Sequence, residues 1–205
     1  MRRRIVLPML MAVIGALLGG CGSTRSSEGG PACLAALSRH NVAFASTQAS
    51  DPNDSRCAVD TAVRVSRIEV PLVRPATMSC ALATRFDRFE REVIQPVAAD
   101  ELGKRVTRVD HLGSYSCRNQ SGTRGRLSQH ALGQAIDVSG FRLSDGSTVS
   151  VERDWHNSGR KGEFLRQLAR RACRYFSVVL TPSSNADHYN HFHFDIGPGK
   201  LCSGV

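Results

Sequence analysis

The sequence predicts an α+β fold: a small antiparallel sheet flanked by helices and tied by disulfides. Two observations point there. Helical stripes and alternating segments come in blocks rather than as repeating βαβ units, which disfavours a doubly wound sheet. Six cysteines are also spread across residues 33–202, a stretch free of low-complexity runs.

Residues 31–45 suit a short helix, with Cys33, Leu34, Leu37 and Val42 roughly on one side. Residues 65–71 (VSRIEVP) alternate as a strand does. Met78, Leu82, Phe86, Phe89 and Val93 recur at spacings of 4, 4, 3 and 4, a helical apolar stripe. Thr77 is its expected cap and Pro96 its expected end. Residues 134–142 and 147–153 read as strands joined by a turn at Ser144-Asp145-Gly146. Phe164, Leu165, Leu168, Ala172 and Tyr175 describe a second amphipathic helix. Residues 176–180 and 191–196 close the chain as strands.

The first residues are of a different kind. Met1-Arg2-Arg3-Arg4 precedes an uncharged stretch over 5–20, the layout of an export signal. The stretch is shorter than the roughly 20 residues a spanning helix needs. It ends Leu18-Gly19-Gly20-Cys21, which looks like a bacterial lipobox, with Cys21 as the lipidated new N-terminus and plain secretion as the alternative. Gly22, where an Asp would favour inner-membrane retention, leans toward an outer-membrane anchor facing the periplasm. Residues 21–30 are small and polar, a flexible tether, and 31–205 form one domain.

There are seven cysteines. With Cys21 lipidated, Cys33, Cys57, Cys80, Cys117, Cys173 and Cys202 remain for three disulfides in an oxidising envelope. A zinc–thiolate cluster is disfavoured because no closely spaced cysteine pair exists. The expected pairing is Cys33–Cys57, Cys80–Cys117 and Cys173–Cys202. The formal charge is +9. Without the three leading arginines it is near +6, from 24 basic against 18 acidic residues. That balance suits an anionic cell wall or membrane surface. Nucleic acid is not expected, since an exported chain rarely meets it and no recognition motif is present.

Chemistry concentrates in two short segments. In His191-Phe192-His193-Phe194-Asp195-Ile196 the alternation is strict, so a strand would bury Phe192, Phe194 and Ile196 and present His191, His193 and Asp195. In Ser128-Gln129-His130-Ala131-Leu132-Gly133-Gln134-Ala135-Ile136-Asp137 a His precedes an Asp by seven positions, with Gly133 allowing a sharp turn between. Asp137 opens an apolar strand, where a buried carboxylate needs a partner. Taken together, His130, Asp137 and His193 supply the three ligands of a catalytic Zn2+ site, leaving one position open. A calcium or magnesium ion would prefer an all-oxygen shell.

The pattern SxHxxGxAxD followed by HxH resembles the superfamily of lysostaphin-type, D-Ala-D-Ala and hedgehog-like zinc folds. More narrowly, much of residues 33–202 resembles the extensin-like C-terminal domain family of bacterial proteins. The resemblance rests on GSYSCRN (113–119), SQHALGQAIDVSGF (128–141), the Asp154-Trp155 pair and LTPSSNADHYNHFHFD (180–195). It implies that His130, Asp137 and His193 bind one zinc, and that His191 acts as general base or steadies the tetrahedral intermediate. His188 matches a further histidine of the penicillin-insensitive murein endopeptidases. Carboxypeptidases of the wider group carry a Glu where this chain has Asn190. Arg118 resembles an arginine that binds substrate carboxylate or the oxyanion, and Ser128 would orient the turn or a substrate group. His40, His111 and His156 read as ordinary residues, and Trp155 as core or a groove wall.

Two classes of function follow as expectations. The first is a zinc metallopeptidase hydrolysing peptidoglycan peptides, as a D,D-endopeptidase or D,D-carboxypeptidase. The second is a wall-binding or structural envelope lipoprotein that keeps the zinc fold without hydrolysis.

Overall fold

The computed structural model describes residues 30–205. The export signal, the lipobox with Cys21, and the tether before Gly30 lie outside the described residues.

The mixed α+β class is as expected, but the sheet is larger. Its strands are β1 (Ala43–Ser46), β2 (Ala62–Arg67), β3 (Pro71–Ser79), β4 (Val106–Gly113), β5 (Ala135–Leu143), β6 (Thr148–Ser150), β7 (Val178–Leu180), β8 (Phe192–Asp195) and β9 (Leu201–Cys202). The helices are α1 (Pro31–Ser38), α2 (Cys80–Phe89), α3 (Gln95–Leu102), α4 (Val151–Asp154) and α5 (Arg160–Ala172). The spatial order is β1-β2-β3-β4-β5-β8-β7-β9, with β6 also paired to β5. Most pairings are antiparallel, but β3–β4 and β7–β9 run parallel. The first of these follows from α2 and α3 crossing between the two strands, since a parallel neighbour needs such a crossover.

The apolar stripe expected from residue 78 begins two residues later, because Thr77 and Met78 complete β3 and Ser79 caps the helix by accepting Leu82 N–H at 3.2 Å. Pro96 does not end the helical run. A π-turn at Glu90–Ile94 intervenes, and Pro96 falls in the first turn of α3. The strand expected over 147–153 stops at Ser150, whose hydroxyl caps α4 by accepting Arg153 N–H. Likewise the helix expected over 31–45 yields to β1 after Ser38.

The core lies between one sheet face and helices α2, α3 and α5. Phe86, Phe89, Phe141, Phe164, Phe192 and Phe194 are essentially inaccessible to solvent. Phe194 stacks on Phe176 at 4.8 Å and meets Phe89 edge-on at 5.5 Å. Trp155 is core, edge-on to Phe192 at 5.4 Å, with its indole N–H donated to Ser183 Oγ. The apolar residues of β8 are therefore spent on packing, as its alternation predicts.

Two of the three disulfides differ from expectation. Cys33 pairs with Cys80 and Cys57 with Cys117, while Cys173–Cys202 is as expected. The sequence-adjacent pairing fails because α1 packs beside α2, bringing Cys33 to the start of α2 with Cα atoms 6.1 Å apart. Cys57, in a short 3-10 turn at Ser55–Cys57, lies instead against the segment after β4, where Tyr115 donates its hydroxyl to Cys57 O.

Glu90 is wholly buried in the π-turn. One carboxylate oxygen accepts Gln95 Nε2 at 2.6 Å, and the other has no partner among the described residues. Burial, opposed by the Gln95 bond and reinforced by Glu69 and Asp87, lifts its pKa from 4.5 to about 7. Between those values the folded chain keeps a proton the unfolded chain has released, so stability falls as pH rises through that window. Glu90→Gln is expected to remove the slope, gaining on the order of 2–3 kcal/mol at pH 8 and nothing near pH 4. Urea unfolding at both pH values checks this, and parallel curves for the two chains would refute it.

Candidate metal centre

Strand β5 lies between β4 on one edge and, on the other, β8 followed by β6. Ile136 and Val138 are buried in the core. The alternation therefore turns Asp137 and Ser139 to the opposite face. Asp137 is in register with His193 of β8. His130 arrives from a 3-10 turn at Gln129–Leu132, which Ser128 caps by accepting His130 N–H at 3.3 Å. Gly133 ends the turn in the left-handed region, φ 61°, where a Cβ would also sit only 3.0 Å from Ser79 N and a Val59 methyl. The glycine between the His and the Asp is thus required both for the reversal and for close packing.

The three atoms converge. His130 Nε2 lies 3.2 Å from His193 Nδ1, His130 Nε2 lies 3.2 Å from Asp137 Oδ1, and His193 Nδ1 lies 3.0 Å from Asp137 Oδ1. A tetrahedral ion with bonds of about 2.0–2.1 Å sets its ligand atoms about 3.3 Å apart, so this triangle is of the right size. The outer hydrogen bonds fix the tautomers. His130 donates Nδ1–H to Ser114 O at 2.6 Å, which leaves Nε2 as a lone pair. His193 donates Nε2–H to Asp195 Oδ2 at 3.1 Å, which leaves Nδ1 as a lone pair. In those tautomers two imidazole lone pairs and a carboxylate oxygen converge, a donor set satisfied by a cation or, in its place, by a proton between His193 Nδ1 and Asp137 Oδ1.

The electrostatics agree. Burial opposes charge on His193, but its bonds with Asp137 and Asp195 prevail and raise it to about 9. Burial would likewise raise Asp137, but His130 and His193 hold it well below the usual carboxylate range. Without metal, the pocket captures a proton in the ion's place. These residues fit a zinc ion by donor chemistry, spacing and outer hydrogen bonding.

Beside the triangle stands His191. It donates Nδ1–H to Asn190 Oδ1 at 2.8 Å, so Nε2 is free and lies 3.5 Å from Asp137 Oδ1. Burial lowers its pKa against the pull of Asp137. His188 is lowered to about 4, by burial first and then by His191 and His193. It packs against both rings, at 5.0 Å from His191 and 5.7 Å from His193. Burial thus favours the neutral form of both rings. Asn190 thereby orients His191.

Arg118 is exposed on the segment after Cys117, near enough that its charge disfavours protonation of His191. Ser128 is buried, and its hydroxyl serves the His130 turn. His111 donates to or accepts from nothing in the site; its Nε2 meets Arg74 O at 2.9 Å. Two contributors escaped the sequence reading. Asp195 was placed on the right strand face but given no role, although an acid two residues beyond a ligand histidine shares its face. The Ser114 carbonyl has no sequence signal, since any residue supplies a backbone oxygen. Asp195→Asn is expected to weaken zinc about 10–100-fold with the fold retained. Competition with a chromophoric chelator measures it, and an unchanged affinity would deny Asp195 its orienting role.

The fold and site together define a disulfide-bonded α+β domain with a buried His/Asp/His cluster on the open face of its sheet. A profile of the family described as extensin-like protein C-terminus matches residues 31–203, and the chain belongs to that family. No curated protein and no solved structure matches it.

Proposed function

We propose that this chain is a zinc-dependent peptidase of the bacterial envelope that hydrolyses peptidoglycan peptides, as a D,D-endopeptidase or D,D-carboxypeptidase. The observation that carries this reading is the lone-pair triangle of His130, Asp137 and His193 with the free Nε2 of His191 beside it. The same reading places the domain in the lysostaphin, D-Ala-D-Ala peptidase and hedgehog-like zinc superfamily. It makes Cys21 the lipid anchor, with the domain on the periplasmic side of the outer membrane.

His130, Asp137 and His193 would hold the ion, which when bound supplies Lewis acidity to activate water and polarise a carbonyl. His191 accepts the proton of the attacking water at Nε2, because Asn190 occupies its other nitrogen. It then returns that proton to the departing amine. His188, neutral and packed against His191, keeps that ring in place. The exposed guanidinium of Arg118 attracts the substrate carboxylate or the oxyanion.

The test is digestion of purified peptidoglycan by the zinc-loaded full chain in detergent, read by mass spectrometry of the muropeptides. Loss of crosslinked dimers or of terminal D-Ala identifies the bond. His191→Ala is expected to slow this by about 10²–10⁴-fold with one zinc still bound. Zinc uptake without hydrolysis by the unaltered chain would overturn the reading in favour of a wall-binding lipoprotein.

A further inference from the structure

Beside the triangle, a second pair of imidazoles is oriented in the same way as the first. Asn185 caps a 3-10 turn at Ala186–His188, and its side-chain oxygen accepts Asp187 N–H at 3.0 Å and His188 Nδ1–H at 2.6 Å. Asn190 accepts Nδ1–H of His191 at 2.8 Å. Each asparagine thus fixes a ring with Nε2 as the lone pair, as outer hydrogen bonds do for His130 and His193. Neither Nε2 has a hydrogen-bond partner among the described residues.

The ring spacing is that of ligands. Two imidazoles on one tetrahedral ion, bound at about 2.0–2.1 Å, hold their ring centres about 5.2 Å apart. The centres of His188 and His191 are 5.0 Å apart, the same separation as in the ligand pair His130 and His193. His191 Nε2 also lies 3.5 Å from Asp137 Oδ1, close to the edge length of a tetrahedral shell. Asp137 therefore stands between two histidine pairs, and its Oδ2 is engaged by no hydrogen bond among the described residues. His191 is buried, whereas His188 is half-buried, so an ion can reach the pair from the His188 side.

We infer that His188 and His191 bind a second divalent transition-metal ion through their Nε2 atoms, with Asp137 as the carboxylate shared between the two ions. Imidazole donors suit zinc, copper or nickel rather than calcium or magnesium. Two cations joined by one carboxylate repel, and the Arg118 charge felt at His191 adds to this. The second ion therefore binds about tenfold or more weakly than the first. On the peptidase reading, on which this step rests, an ion at His191 Nε2 occupies the lone pair that takes the proton of the attacking water. Zinc then activates as it fills the first site and inhibits as it fills the second.

The experiment uses the untagged full chain in detergent, stripped of metal and titrated with zinc by calorimetry, with bound zinc counted after equilibrium dialysis. Two ions per chain are expected, in two separable events. His188→Ala and His191→Ala should each lose the weaker event and keep the tighter one, with the thermal midpoint unchanged. His40→Ala and His156→Ala, at exposed histidines, should keep both events. Peptidoglycan hydrolysis by the unaltered chain should rise with the first equivalent of zinc and fall about tenfold or more as the second binds. A single ion per chain at millimolar zinc, or a second ion kept by both His188→Ala and His191→Ala, overturns the site even where hydrolysis is intact. Hydrolysis undiminished with both ions bound overturns the inhibitory role. Two ions bound and lost as expected, with no hydrolysis at any zinc level, upholds the second site and defeats the peptidase reading instead.

Discussion

His193→Ala is expected to abolish zinc binding at micromolar metal and to bring peptidoglycan hydrolysis to background. The loss should exceed the roughly 10–100-fold that follows removal of a neighbouring hydrogen bond, because a ligand itself is gone. The substitution also leaves Asp195 without the imidazole N–H that it accepts at 3.1 Å. Titration with zinc carries a second signature. In the metal-free chain His193 holds its proton up to about pH 9, so binding below that pH releases protons that a weakly buffered indicator records. His193→Ala should release none through this group. Full zinc occupancy in the variant, by elemental analysis after dialysis, would show that the triangle is not the metal site.

Removing the Cys57–Cys117 disulfide, as Cys57→Ser with Cys117→Ser, should give the largest loss of stability. Its 60-residue separation corresponds to about 4 kcal/mol of unfolded-chain restriction. The consequence reaches the cluster, because the tethered segment supplies Ser114 O to His130 Nδ1, and Ser116 N–H donates to His130 O at 3.1 Å. Cys173–Cys202 is the control. Its separation of 29 gives about 3.5 kcal/mol, but it ties α5 to β9 and touches no ligand. Loss of the first should lower both the midpoint of thermal unfolding and zinc affinity. Loss of the second should lower the midpoint alone. Equal zinc affinity in the two variants would sever the proposed link between disulfide and site.

The strand alternation of 191–196 by itself puts the two histidines and Asp195 on one face, because the side-chain period of a strand is fixed by backbone geometry. The same reasoning drew in Asp137, since a carboxylate at the start of an apolar strand must find a partner. Gly133 was readable as the turn that lets His130 fold back. The amphipathic helix around Phe164–Ala172 was equally plain.

Other features had no local cause. The π-turn at Glu90–Ile94 carries the buried Glu90, bonded to Gln95, which in turn is bonded to Val106 of β4, and the run continues through Pro96. Disulfide partners depended on α1 lying against α2, a contact between segments far apart in the chain. The parallel pairing of β3 with β4 depended on the helical crossover between them. The change of partner along β5, from β8 to β6, likewise brings together segments distant in the chain. By itself the sequence determined which side chains share a face and which chemistry they can support, because periodicity and donor type are local. Only the tertiary structure decided the 3.0–3.2 Å triangle and the tautomers, because each requires segments distant in sequence to meet.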